Sequence, residues 1–365
     1  MPIDFSADRW ERVQRQTELW WQNKLNRPLI QVRLRGKDPR RPASPLPFHE
    51  FTAFYDFAIP AEQVIDRIDY ELCCTEFLGD AFPHFWPNFG AGVLGAFMGA
   101  RPELREETVW FHAPAEQKPA EIELKVNWQH PWLQRLVDLI EAGVARWQGQ
   151  VQIGMTDLGG NLDLVSTFLP GEKLLLALFD DPEEVERLTW QAHQAWWQVF
   201  GLLNNRLQKT NPGYSCWTPL FSRTPYYMLQ CDFSYMIGPD AFHRFILPEL
   251  RQSAEKLDHA FYHLDGVNAK VHLDDLLAIE AIRGIQWVPG DAAPDIGCWP
   301  EIYRRITAKG KHVQFFNVQA GGRLDTIDQL IEQTGRPGAF AAVLDADISQ
   351  RNQVIELLQK YEIEP

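Results

Sequence analysis

Ala260-Phe261-Tyr262-His263-Leu264-Asp265-Gly266 is a short apolar run that ends in an imidazole and a carboxylate two positions apart, and then in glycine. A helix-like stretch carrying His272, Asp274 and Asp275 follows it. In proteins that alternate strands with helices, the residues just past a strand's carboxyl end are where ligands sit and chemistry is done. The spacing of His263 and Asp265 suits an acid/base pair, a metal pair, or a clamp on substrate hydroxyls. The fold depends on whether the rest of the chain repeats this strand-then-helix unit.

It does so along its length. Residues 7–25 read as an amphipathic helix with Trp10, Val13, Thr17 and Trp20 on one side, stopped by Arg27-Pro28. Strands are expected at 29–34, 70–78, 151–155, 214–217, 260–264, 284–288, 313–317 and 340–344. Helices are expected from about 61, over 131–146, from Asp181-Pro182-Glu183 to about 208, and from Gly238-Pro239-Asp240 to about 258. The stretch 81–114 is long and rich in Gly and Phe, and 108–112 with 121–126 alternate like a hairpin inside it. Eight strands with helical crossovers favour one domain over 1–365, a (β/α)8 TIM barrel with an N-terminal helix and a long insertion after the second strand. A doubly wound open sheet is the structural alternative.

Composition narrows the function classes. The 365 residues carry 35 basic and 49 acidic side chains, a net charge of −14, so a nucleic-acid backbone would be repelled. No run of about 18 apolar residues suggests a membrane span. The N-terminus lacks an apolar signal core, and the five cysteines form no C-x-x-C pair, which points to a reduced, cytoplasmic protein. There is no G-x-S-x-G elbow, dinucleotide fingerprint or Walker loop. The 14 Trp exceed what packing needs, and indoles at a site mouth hold rings or cationic methylammonium groups.

A closed barrel would deliver Asp80, Asp157, Trp217, His263 with Asp265, Trp287 with Asp291, and Asn317 to one rim, with Asp345 and Asp347 after the last strand. Each has a plainer reading. Asp80 and Asp291 follow glycines in turn-like contexts, Asp157 precedes Gly159-Gly160, and Asp232 suits an Asx turn. Trp287 suits a buried strand, and His272, Asp274 and Asp275 suit a helix start. Their shared position is what gives them weight.

Three stretches resemble the uroporphyrinogen decarboxylase superfamily, which includes corrinoid-dependent methyltransferases. Thr75-Glu76-Phe77-Leu78-Gly79-Asp80 is similar to the decarboxylase strand that ends in the catalytic aspartate, which implies that role for Asp80. Ile237-Gly238-Pro239-Asp240-Ala241-Phe242 is similar to a helix entry of the family. His263-Leu264-Asp265-Gly266 sits where the methyltransferases carry His-x-Cys-Gly, whose His and Cys bind zinc. Here Asp265 replaces that cysteine, and Val343-Leu344-Asp345-Ala346-Asp347 has no counterpart of the later cysteine ligand. A zinc–thiolate site is therefore not expected, and His263, Asp265, Asp345 and Asp347 are candidates for a nitrogen/oxygen site for a harder divalent metal.

The resemblance implies methyl transfer between a small neutral or cationic substrate and a corrinoid carried by a partner protein. Asp80, His263 and Asp265 would be catalytic, and Trp86, Trp217 and Trp287 would form an aromatic box. Asp157, Asp232, Asp291 and Asn317 would contact the substrate. Three alternatives stay open: decarboxylation of a pyrrole-like or simpler acid through Asp80, glycoside hydrolysis by a carboxylate pair such as Asp80 and Asp265, and a binding barrel without chemistry. A homodimer is in keeping with such barrels.

Overall fold

Apolar runs rich in β-branched and aromatic residues form the centre of the molecule, and helices cover them. The computed structural model describes residues 3–290 and 292–365. Its strands are β1 (Leu29–Arg35), β2 (Thr75–Gly79), β3 (His84–Phe85), β4 (Arg101–Arg105), β5 (Thr108–His112), β6 (Gln152–Ile153), β7 (Tyr226–Gln230), β8 (His259–Asp265), β9 (Ile282–Val288), β10 (His312–Phe316) and β11 (Phe340–Asp347). Seven form one sheet in the order β2-β1-β11-β10-β9-β8-β7. All neighbours in it run parallel except β2, which is antiparallel to β1. β3 pairs with β6 in parallel, and β4 with β5 as a hairpin. The protein is thus an α/β fold around a mostly parallel sheet.

Several expectations need correction. The second expected strand, at 70–78, is helical through Cys73, because the helix Ala61–Cys73 keeps its apolar stripe to Leu72 and Cys73. Only Thr75–Gly79 extends, and it runs backwards relative to β1. Tyr214 to Trp217 is not a strand. Tyr214 makes one isolated bridge, to Ser222, and the strand is Tyr226–Gln230. The partner of β5 is β4, not 121–126. The two-residue strand β3 lies within the stretch taken for the insertion, so the hairpin follows β3 rather than the strand that contains Phe77.

Register fixes which side chains share a face. His263 pairs with Gln230 of β7 and Gln286 of β9, Gln286 pairs with Gln314, and Arg33 with Asp345. Alternation then puts Gln230, His263, Asp265, Gln286, Gln314, Asp345, Gln31 and Arg33 on one face. Apolar neighbours such as Leu264, Ile285 and Phe315 point to the other, where helices cover them.

The helix α1 (Ala7–Trp21) begins at Ser6, whose hydroxyl accepts from the Arg9 N–H at 3.3 Å. Its buried Trp10, Val13, Thr17, Trp20 and Trp21 recur at helical spacing. Trp20 stacks on His312 at 3.9 Å and Trp21 on His259 at 4.1 Å, at the first residues of β10 and β8. Both rings also meet Phe261. The amino-terminal end of the sheet is therefore sealed by indoles, which leaves the carboxyl-terminal end for a site.

Candidate active site

β8 delivers His263 and Asp265 at its carboxyl end, and the turn beyond it needs glycine. Gly266 has φ +86, and a Cβ there would lie 2.4 Å from the Tyr235 ring. The loop after β7 brings Asp232 to the same place. Asp232, His263 and Asp265 each offer a ligand atom, and these atoms all lie within 4.8 Å of one another. His263 Nε2 is 4.0 Å from Asp265 Oδ2, and the ring meets Trp217 edge-on at 5.3 Å. His263 Nδ1 lies 2.6 Å from Gln286 Oε1.

A second layer of carboxylates supports this cluster. Asp157 lies just beyond β6, buried, and its Oδ1 accepts from the Gly159 N–H at 2.8 Å and from Gln230 Nε2 at 3.4 Å. Burial, opposed by the Gly159 bond and reinforced by the Asp232 charge, pushes its carboxyl up to about 6. Asp163, in the first turn of the helix Asn161–Phe168, accepts from the backbone N–H groups of Asp232 and Phe233 at 2.9 and 2.7 Å. Burial, with the Asp232 charge next, raises its carboxyl well above the ordinary range. Asp163 thereby fixes the loop that presents Asp232.

The structure separates the other expected residues. Asp80 does not join His263. Because β2 is antiparallel to β1, its carboxyl end lies beside the start of β1, on the side sealed by α1. There Asp80 is 2% exposed and takes a two-pronged ion pair from Arg27, at 2.7 and 2.9 Å, together with the Ile30 N–H at 3.0 Å. Every oxygen of that carboxylate is engaged. Trp287 follows Gln286, so it points to the opposite face, buried and edge-on to Trp299 at 5.4 Å. It is not part of a mouth.

Trp86, half-buried, directly follows β3 at the same end as Asp157. Asn317 ties two strand ends together: its Nδ2 donates to the carbonyls of Gly322 and Asp345, and its Oδ1 accepts from the Asp345 N–H. Asp345 pairs with Arg33 at 2.6 Å, and Asp347 caps the turn that follows through the Ser349 N–H. Neither belongs to the His263 cluster. Asp291 lies outside the described residues. His272 is buried, donates to backbone carbonyls and stacks on Phe242; Asp274 and Asp275 pair with Arg305 and His243.

Sequence reading missed Asp163, Gln230, Gln286 and Gln314. A glutamine inside a run such as Gly284-Ile285-Gln286-Trp287-Val288 is the available signal, because an amide in a fully buried strand needs a partner.

No family model matches the chain, and no curated protein matches it in sequence. Among solved structures, a methyltransferase from Methanosarcina mazei aligns with a TM-score of 0.63 over 96% of this chain and 99% of that one, at 11% identity. The chain shares that protein's fold. No helix among the described residues is long and apolar enough to cross a membrane.

Proposed function

We propose that the protein is a methyl-transferring enzyme of the uroporphyrinogen decarboxylase superfamily, working with a corrinoid carried by a partner protein. In this reading β1, β3, β6 and β7 to β11 are the eight strands of a closed barrel, with β2 and the β4–β5 hairpin as additions. Contacts across the seam between β6 and β7 support closure: Gln230 of β7 donates to Asp157, and Tyr227 accepts from the Leu158 N–H, just beyond β6. The likeness in fold to a methyltransferase over nearly the whole chain supports the reaction class.

The observation that carries the reading is the meeting of Asp232, His263 and Asp265 at the open end of the sheet. An imidazole with two carboxylates is a nitrogen/oxygen donor set, suited to a harder divalent cation than a thiolate site would be. No cysteine belongs to the cluster. Cys231 is buried, and burial and the Asp163 charge push its thiol well up, away from thiolate. A cation held by Asp232, His263 and Asp265 would supply Lewis acidity, and a corrinoid brought by the partner would supply the methyl-carrying cobalt.

The chain's own residues bind and orient. Trp217 and Trp86 offer aromatic walls, and the carboxylates of Asp157, Asp232 and Asp265 favour a neutral or cationic substrate, such as a methylated amine or an aryl methyl ether. Decarboxylation and glycoside hydrolysis relied on Asp80, which Arg27 occupies at the other end.

The test is spectroscopic. Reduced cobalamin with a panel of methylated amines and aryl ethers should develop the absorbance of methylcobalamin in the presence of the protein, and His263→Ala should abolish the change. An unaltered spectrum with every donor, and with methylcobalamin offered to thiol acceptors, ends the proposal.

A further inference from the structure

We infer that Gln286 is a positioning residue for His263, and that the chain Gln286–Gln314 holds the imidazole with its proton on Nδ1 and its Nε2 lone pair toward Asp232 and Asp265. The geometry starts from register. His263, Gln286 and Gln314 occupy paired positions on β8, β9 and β10, so their side chains form one row across three strands. His263 Nδ1 is 2.6 Å from Gln286 Oε1, and Gln286 Nε2 is 3.4 Å from Gln314 Oε1. With the Gln286 amide oxygen turned to the ring, the imidazole donates from Nδ1, because that oxygen only accepts. In a neutral ring that leaves Nε2 as the acceptor.

The surroundings of Nε2 agree. Its separation from Asp265 Oδ2, 4.0 Å, is too long for a hydrogen bond but suits two ligands on either side of a cation that each approaches to about 2.1 Å. Trp217, edge-on to the ring, limits its tilt. Gln286 and Gln314 are 1% and 0% exposed, so water does not compete for the amides. A buried amide costs stability unless it is bonded, and an aliphatic side chain would pack a central strand at less cost. The Gln286 amide is bonded on both sides, to His263 and to Gln314, and the orientation of His263 explains why a glutamine stands there. Histidines that bind metal generally donate their other ring N–H in this way.

The inference deepens the cation reading of the same site, yet its first test needs no ion. Protein labelled with 15N-histidine, chelator-treated and kept above pH 8, should show the Nδ1–H tautomer for His263 in long-range 15N–1H correlation spectra, with the signal assigned by its loss in His263→Asn. Gln286→Glu keeps an acceptor and should keep that tautomer. Gln286→Leu should shift the ring toward Nε2–H. A wild-type Nε2–H ring overturns the inference, as does a Gln286→Leu spectrum that matches wild type.

Titration with Mn2+ followed by calorimetry gives the second readout. Gln286→Leu should weaken affinity about 10- to 100-fold, and Gln286→Glu should restore most of it. Equal weakening by both variants would reduce Gln286 to packing and overturn the inference. If wild type takes up no Mn2+ while the ring is Nδ1–H, the cation reading fails and the positioning role of Gln286 stands.

Discussion

His259 and His312 stand at the amino-terminal ends of β8 and β10, and His263 near the carboxyl end of β8, on the same face of the sheet. The first two lie under indole rings, His259 against Trp21 at an interplanar angle of 6° and His312 against Trp20 at 27°. Burial, helped by the Arg283 charge, lowers their proton affinity to about 4 and about 3, so they serve as flat aromatic packing. His263 instead meets an amide, an indole edge and two carboxylates. The aspartates divide in the same way: Asp80 is closed off by Arg27 at the sealed end, whereas Asp232 and Asp265 face one another at the open end. A residue type carries no role by itself in this fold. The end of the strand at which it emerges decides between packing and chemistry.

Three substitutions would break or sharpen that contrast. The largest effect is expected from His263→Ala, which should lower methyl transfer by about 10³-fold, within the range for a lost acid/base or ligand group, while the thermal midpoint stays close to wild type. A large fall in stability with retained turnover would place His263 with the packing histidines. Next comes Arg27→Ala, which leaves the buried Asp80 carboxylate without its ion-pair partner and with the Ile30 N–H as its remaining hydrogen bond. It should cost about 3–5 kcal/mol in a urea melt while Mn2+ binding persists. Loss of ion binding in a still-folded Arg27→Ala protein would join the two ends functionally and undo the comparison.

The smallest effect concerns pH. His312 binds a proton less readily folded than unfolded, where its affinity is near 6.5. Below pH 6.5 the unfolded chain therefore takes up a proton that the folded chain refuses, and stability falls as pH drops toward about 3. His312→Phe removes this contribution and should flatten the fall in melting temperature between pH 7 and pH 5 by roughly a few degrees. Identical slopes for variant and wild type would show that native His312 takes up a proton as readily as it does in the unfolded chain.

The long parallel strands β1, β8, β9, β10 and β11 are legible in the sequence because each is a run of apolar residues bounded by turn or helix signals. β3 and β6, two residues each, are too short to carry a period. The direction of β2 is not written in its residues at all, since an apolar run reads alike whichever way its neighbour runs. Asp80 was misplaced for that reason. Trp287 was misplaced by the alternation rule, because one step along a strand from Gln286 reverses the face. Asp157, Trp217, Asp232, His263 and Asp265 are polar or aromatic residues at or beyond strand-like runs, and they gather. Gln286, Gln314 and Asp163 take on meaning only once register and loop path are known.

The indoles of α1 also bear on how the chain reaches its final state. Trp20 and Trp21 emerge from the ribosome well before the strands they cover, since their partners Tyr226, His259, Phe261 and His312 belong to the later part of the chain. Two large greasy rings must therefore wait through most of synthesis for their seat. Such distant pairing slows assembly and leaves sticky surface exposed meanwhile. The helix that closes one end of the finished sheet is thus also a segment whose apolar rings stay uncovered while the chain is being made.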